Sequence, residues 1–136
     1  MTPPVRLTLL TSSYPRFPGD GTAPFIRSIA QALQRAGHAV EVVAPYDPAV
    51  QPDPADTLPV HRFRYAWSRR LHIMGHARAL HADARLRPAA YLLLPLFLLA
   101  EGRALWRVSV RQRAQAIHAH WVLPNALPAA LVARLL

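Results

Sequence analysis

Residues 5–45 read VRLTLLTSSYPRFPGDGTAPFIRSIAQALQRAGHAVEVVAP, and the succession of patterns in them decides the fold class. Val5 to Ser12 is a short apolar run with β-branched residues, stopped by the turn formers of SYPRFPGDG, so it reads as a buried strand followed by a loop. Thr22 is placed to cap a helix with Pro24 in its first turn, where the missing amide costs no helical bond. Phe25, Ile29 (or Ile26), Leu33 and Ala36 recur at helical spacing, and Gly37 in RAGH supplies the left-handed residue that commonly ends a helix. Ala39 to Ala44 is a second strand, stopped by Pro45. Strand, helix and strand within about 40 residues make a βαβ unit, whose strands are parallel and whose crossover is right-handed. The expected class is α/β, a Rossmann-like open parallel sheet with flanking helices.

The remaining chain extends that pattern. Residues 46–59 carry four prolines and three aspartates and form a surface loop leading to a third strand, Val60 to Tyr65. Arg69 to Arg87 has helical periodicity, with Ile73, Ala77, Leu80 and Ala84 as its apolar stripe and His72, His76 and Asp83 on another side. A second helical region runs from about Pro88 to Ala114. A fourth strand follows, Ala116 to Trp121, and then a helix from Asn125 onward. No internal repeat is present. The 136 residues amount to one domain, large enough to bury a core. Ala129 to Leu136 is strongly helix-forming with no stop signal after it, so the chain is expected to end inside a helix and to be truncated.

Composition narrows the chemistry. There is no cysteine, which excludes disulfide scaffolds, Cys-based zinc sites and thiol nucleophiles. The N-terminus lacks a basic leader followed by an apolar core, so it does not read as a secretory signal. The most apolar run, Tyr91 to Ala100, is bracketed by Arg87 and Glu101 well short of the roughly 20 residues a spanning helix needs, and no membrane crossing is expected. Sixteen basic residues, all arginine, against seven acidic ones give a formal charge of +9, which favours anionic partners.

In a parallel α/β sheet the ligand crevice lies beyond the carboxyl ends of the strands, so the loops that follow strands are the places to look. The loop SSYPRFPGDGTAPF offers Gly19, Gly21 and Thr22 before a helix N-terminus, where free amides and the helix dipole attract phosphate. Pro24 stands where G-x-G-x-x-G wants its third glycine, and the absence of lysine excludes a Walker A loop. The second loop is in AIHAHWVLPN, residues 116–125. A two-residue period puts His118 and His120 on one side and Ile117 and Ala119 on the other, with His120 nearest the crevice. His72 and His76 have the i, i+4 spacing of a metal pair but no evident third ligand, so no metal is expected.

The stretch YPRFPGDGTAPFIRSIAQALQRAGHAVEVVAP, together with IHAHWVLPN, closely resembles family 4 glycosyltransferases of the GT-B fold. In those enzymes a proline- and glycine-bearing loop after the first strand leads to a helix ending in Gly-His, a second strand and a proline. A later strand ends in a His-x-His-Trp-like pattern followed by Leu-Pro. The likeness covers residues 5–48 and 114–136, and the stretch between them in outline. It implies an N-terminal, acceptor-side Rossmann-like domain over residues 1–136, facing a donor-binding domain that this chain does not contain. It further implies transfer of a sugar from a nucleotide-diphosphate sugar to a sugar or lipid-linked acceptor, with retention and without cofactor or metal. By the same likeness Gly19, Gly21 and Thr22 lie against the donor diphosphate and His120 is the catalytic residue beside the transferred sugar. His118, Trp121 and Asn125 are supporting residues, with Asn125 as a helix cap. Ala126 departs from the family's frequent glycine after Leu-Pro-x. The fragment alone is expected to be inactive.

Arg103, Arg107 and Arg111 fall on one helix face, with Arg113 close by. Beside the apolar run at 91–99 they suit peripheral contact with an anionic membrane, and the expected location is cytoplasmic, at the inner membrane face. No stacking aromatics are interleaved with them, so no nucleic-acid partner is expected. The alternative reading is a stand-alone basic α/β module that binds a phosphorylated ligand or nucleic acid without catalysis. A dehydrogenase would place an acid such as Asp47 after the second strand but lacks its glycine fingerprint.

Overall fold

The computed structural model describes residues 3–76 and 88–136. Four strands, β1 (Arg6–Leu10), β2 (Ala39–Pro45), β3 (Val60–Phe63) and β4 (Ala116–Ala119), form one sheet in the order β3-β2-β1-β4. Every pairing is parallel. Among the described residues three helices flank it: α1 (Pro24–Arg35), α2 (Pro88–Gln112) and α3 (Ala126–Leu135). This is the Rossmann-like open α/β sheet that the βαβ pattern predicts.

The pleat divides the core in two. Leu9, Val40, Val42 and Ala44 point to one face, where they pack with Tyr14, Leu58 and the α1 residues Ile26 and Ala30. Leu10, Val43 and Phe63 point to the other and meet Phe97, Leu105 and Val108 of α2 and Ala129 and Val132 of α3. In register, Leu9 is opposite Val42 and His118, and Leu10 is opposite Val43 and Ala119. Ile117 and Ala119 accordingly pack against the α2 side. Ser109 of α2 donates to Thr8 across 3.0 Å, which fixes the helix over β1. The 25 residues of α2 are long and apolar enough to cross a membrane by length and composition. One side of the helix nevertheless belongs to the core.

Several local expectations change. The α1 face that packs is Ile26, Ala30 and, partly, Leu33, while Phe25 and Ile29 are exposed. Thr22 does not cap α1: Ala23 occupies that position at φ 45°, and the Thr22 hydroxyl bonds to Asp20 instead. Gly37 is left-handed as expected, at φ 92°. β3 ends at Phe63 and β4 at Ala119, each two residues short of the expected limit.

Over residues 69–76, the described part of the expected Arg69–Arg87 helix, the chain instead forms a single 3-10 turn, Arg69–Leu71, followed by irregular chain through His76. Gly75 and His76 both adopt positive φ, 87° and 56°, which a helix cannot contain. Ala77, Leu80, Asp83 and Ala84 lie outside the described residues. His72 and His76 are thus no i, i+4 pair on a helix face, and no group of three or more metal-ligating side chains occurs among the described residues.

Candidate active site

The sheet order places the two candidate loops together. From β1 the chain moves toward β2 on one side, and β4 lies on the other, so the crevice between the ends of β1 and β4 is the topological switch point. The loops leaving these two strands are the glycine-bearing loop and the HAHW loop. Phe25 in the first turn of α1 and Trp121 meet edge to face, with ring centroids 6.2 Å apart.

His118 and His120 share the α1 side of β4, and their rings stack with centroids 4.4 Å apart. His118 is exposed and His120 half-buried. The His120 amide donates to the Leu10 carbonyl at 2.8 Å, prolonging the β1–β4 ladder by one residue. Burial first, and the neighbouring His118 second, push the His120 imidazole below the usual histidine range, so it is neutral at pH 7. Its Nε2 is buried with no hydrogen-bond partner among the described residues. Trp121 takes φ 70°, turning the chain sharply out of the strand.

Asn125 corrects its expected role. It begins α3 but makes no side-chain cap; its amide donates to the His120 carbonyl, and the residue is fully buried. It supports His120 from below and leaves the helix amides alone.

The glycine loop is organised by an acid. Asp20 accepts from the Arg16 amide at 2.9 Å, Arg16 Nε at 2.8 Å, the Thr22 amide at 3.0 Å and the Thr22 hydroxyl at 2.7 Å. Burial works to raise the Asp20 carboxyl, but these bonds overcome it and hold the group well below the usual carboxylate range. The Thr22 donors are therefore engaged within the loop. Gly19 and Gly21 are exposed, and a side chain added at either would meet nothing within 4 Å. Only Gly19, at φ 81°, needs glycine for its backbone.

A histidine the sequence places on a helix instead ties this loop to the sheet. The His76 amide donates to the Ser12 carbonyl at 2.8 Å, its Nε2 lies 3.2 Å from the Pro45 carbonyl, and its Nδ1 faces the Tyr14 amide at 3.5 Å. Only the neutral ring protonated on Nε2 satisfies both contacts. Burial, with Arg62 nearby, pushes His76 down to about 4. Arg62 passes from β3 over the Tyr14 ring, 5.2 Å from its centroid, to the Pro15 carbonyl at 2.5 Å. The one sequence signal for this clamp is Gly75.

Away from the crevice, a groove of about 750 Å³ between β3 and α2 is lined by His61, Arg64, Arg103, Arg107 and Arg111. Arg111 is held by Glu41 at 2.7 Å, and the Arg113 carbonyl accepts from Arg6 at 2.9 Å. Trp106, half exposed, lines the same groove. An aromatic ring is thus interleaved with the arginines, contrary to expectation. No protein-family model matches the chain, and no curated protein matches its sequence.

Proposed function

We propose that the chain is the acceptor-side domain of a retaining glycosyltransferase that uses a nucleotide-diphosphate sugar. The observation that carries this reading is the meeting of the Gly-Asp-Gly-Thr and His-x-His-Trp loops at the switch point, joined by Phe25 and Trp121. The open space over Gly19 and Gly21 lets diphosphate oxygens approach the backbone. The bonds of Asp20 to Arg16 and Thr22 set the loop's shape before any ligand arrives. The neutral His120 imidazole hydrogen-bonds a hydroxyl of the transferred sugar or acceptor. The acceptor hydroxyl attacks the anomeric carbon, its proton passes to the departing diphosphate, and no metal or cofactor takes part. The nucleotide is held by a second domain across the crevice, so residues 1–136 alone are inactive.

In the protein that carries both domains, His120→Ala should lower kcat for nucleotide-sugar turnover about 100-fold or more, the range lost with a positioned hydrogen-bonding group. Gly21→Val should raise KM for the donor while leaving thermal unfolding unchanged. A wild-type protein that consumes no uridine, guanosine, adenosine or thymidine diphosphate sugar would overturn the reading, as would full activity of His120→Ala.

The same proposal includes a peripheral place at the inner membrane face and a lipid-linked acceptor. Leu92, Leu96, Leu99, Trp106 and Val110 are all exposed along one side of α2, with Arg103 in the stripe and Arg107 beside it. The one acidic residue of α2, Glu101, is buried. Apolar side chains, an indole ring and arginines with no exposed acid suit an anionic lipid surface. At low salt the protein should sediment with phosphatidylglycerol vesicles and not with phosphatidylcholine ones, and Arg103→Glu with Arg107→Glu should abolish the difference. Equal partition to both vesicles rules the surface out.

A further inference from the structure

Glu101 is fully buried on the sheet side of α2, one turn after Phe97 and one before Leu105, and neither carboxyl oxygen has a hydrogen-bond partner among the described residues. A second orphaned acceptor stands at the N-terminus of α3, the helix that packs against α2. Asn125 is fully buried, shares a face with Ala129 and Val132 of α3, and spends its NH2 on the His120 carbonyl, leaving Oδ1 without a donor among the described residues. The two helices touch at this level, because a Cβ on Gly102 would stand 3.9 Å from Cβ of Pro128 in the first turn of α3. Ser109 sits at the level of Thr8, so Glu101, two turns earlier, reaches the height where β1 ends and His120 begins.

Among the described residues no charged group faces Glu101 to hold it ionised. On α3 the one cation is Arg134, in the last turn. On β1 it is Arg6, at the opposite end and bonded to the Arg113 carbonyl. Glu41 of β2 and His61 of β3 pair with one another and with Arg111. His118 and His120 of β4 occupy the other face of the sheet. Beyond the strand ends, His72 packs between Tyr46 and Tyr65, and His76 is bonded to the Pro45 carbonyl. Arg103 and Arg107 line the outer groove. A buried ionised carboxylate with no partner is costly, and so is an amide oxygen without a donor. One proton answers both.

We propose that Glu101 is a positioning residue: it carries a proton that it donates to Asn125 Oδ1, locking the amide that holds the His120 carbonyl. The chain of bonds runs from α2 through α3 to the end of β4, and so to the Leu10 carbonyl of β1. The proposal concerns packing and stands whether or not the crevice transfers sugars. Burial also pushes the Glu101 carboxyl up, to about 8.

The test is carbon-13 NMR of the glutamate carboxyls in the folded protein, with melting curves across pH. The Glu101 signal should remain that of the acid at pH 7, and Asn125→Ala, which removes the acceptor, should move its titration downward. The folded-state value is raised, so its stabilisation is complete below the unfolded value and is lost as pH rises. The wild-type melting temperature should therefore fall between about pH 5 and about pH 8 relative to Glu101→Gln, whose amide donates at every pH. Glu101→Ala should shift the His120 ring signals, and Glu101→Gln should restore them. A carboxylate signal for Glu101 at pH 6 would overturn the proposal. So would a titration indifferent to Asn125→Ala, or His120 signals that Glu101→Gln fails to restore.

Discussion

Gly75→Ala is expected to destabilise the fold by about 2–5 kcal/mol, read as a fall in the urea midpoint at constant slope. Two costs add. Gly75 holds φ at 87°, where a residue with a Cβ loses about 1–2 kcal/mol. The new methyl would also stand 2.7 Å from Pro45 Cγ and 2.8 Å from the Ser12 carbonyl oxygen. Neither neighbour moves freely. Pro45 ends β2, and the Ser12 carbonyl accepts from the His76 amide at 2.8 Å. Overpacking of this kind costs about 1–3 kcal/mol where the surroundings cannot relax. Gly21→Ala is the control, because it has open space and no positive φ, and it should leave the midpoint where it is. Equal midpoints for the two variants would mean that Gly75 is not clamped between the ends of β1 and β2.

The parts of the fold visible in the sequence are those where one local pattern was enough. Val5–Ser12, the helix after Pro24 and Ala39–Ala44 each carry a period and a stop, and the structure keeps all three within two residues or so. That His118 and His120 face the same way followed from the pleat alone; that this is the α1 side came from the register with β1. What the sequence hid depends on distant contacts. His72 and His76 have helical spacing, yet the bonds of His76 to Ser12 and Pro45, made with residues 31 or more positions away, hold it in irregular chain. Thr22 and Asn125 are good caps by type, but each finds a stronger local partner, Asp20 and the His120 carbonyl respectively. Asp20 itself was invisible as an organiser, because an aspartate between two glycines reads as an ordinary turn former. Ile26 rather than Phe25 faces the sheet, a rotation of one residue that periodicity over three turns cannot resolve; it frees Phe25 to meet Trp121.

His76 makes the fold sensitive to acid. Its folded value lies at about 4, below the roughly 6.5 of a free histidine, so between these limits the unfolded chain takes up a proton that the folded one refuses. Stability is full above about pH 6.5 and falls as pH drops toward about 4, by at most about 3 kcal/mol from this one group. Burial depresses His72 and His120 as well, which adds to the loss in the same direction. Protonation forces the break physically: an imidazolium has no acceptor left for the Tyr14 amide, while Arg62 presses a second cation against it. His76→Asn isolates the effect, because asparagine tolerates the left-handed backbone at φ 56°. That variant should be less stable than wild type at pH 7 and lose less on acidification, so urea midpoints of the two should converge between about pH 6.5 and about pH 4. Parallel curves over that window would transfer the acid sensitivity to the other two histidines and leave His76 as a neutral spacer.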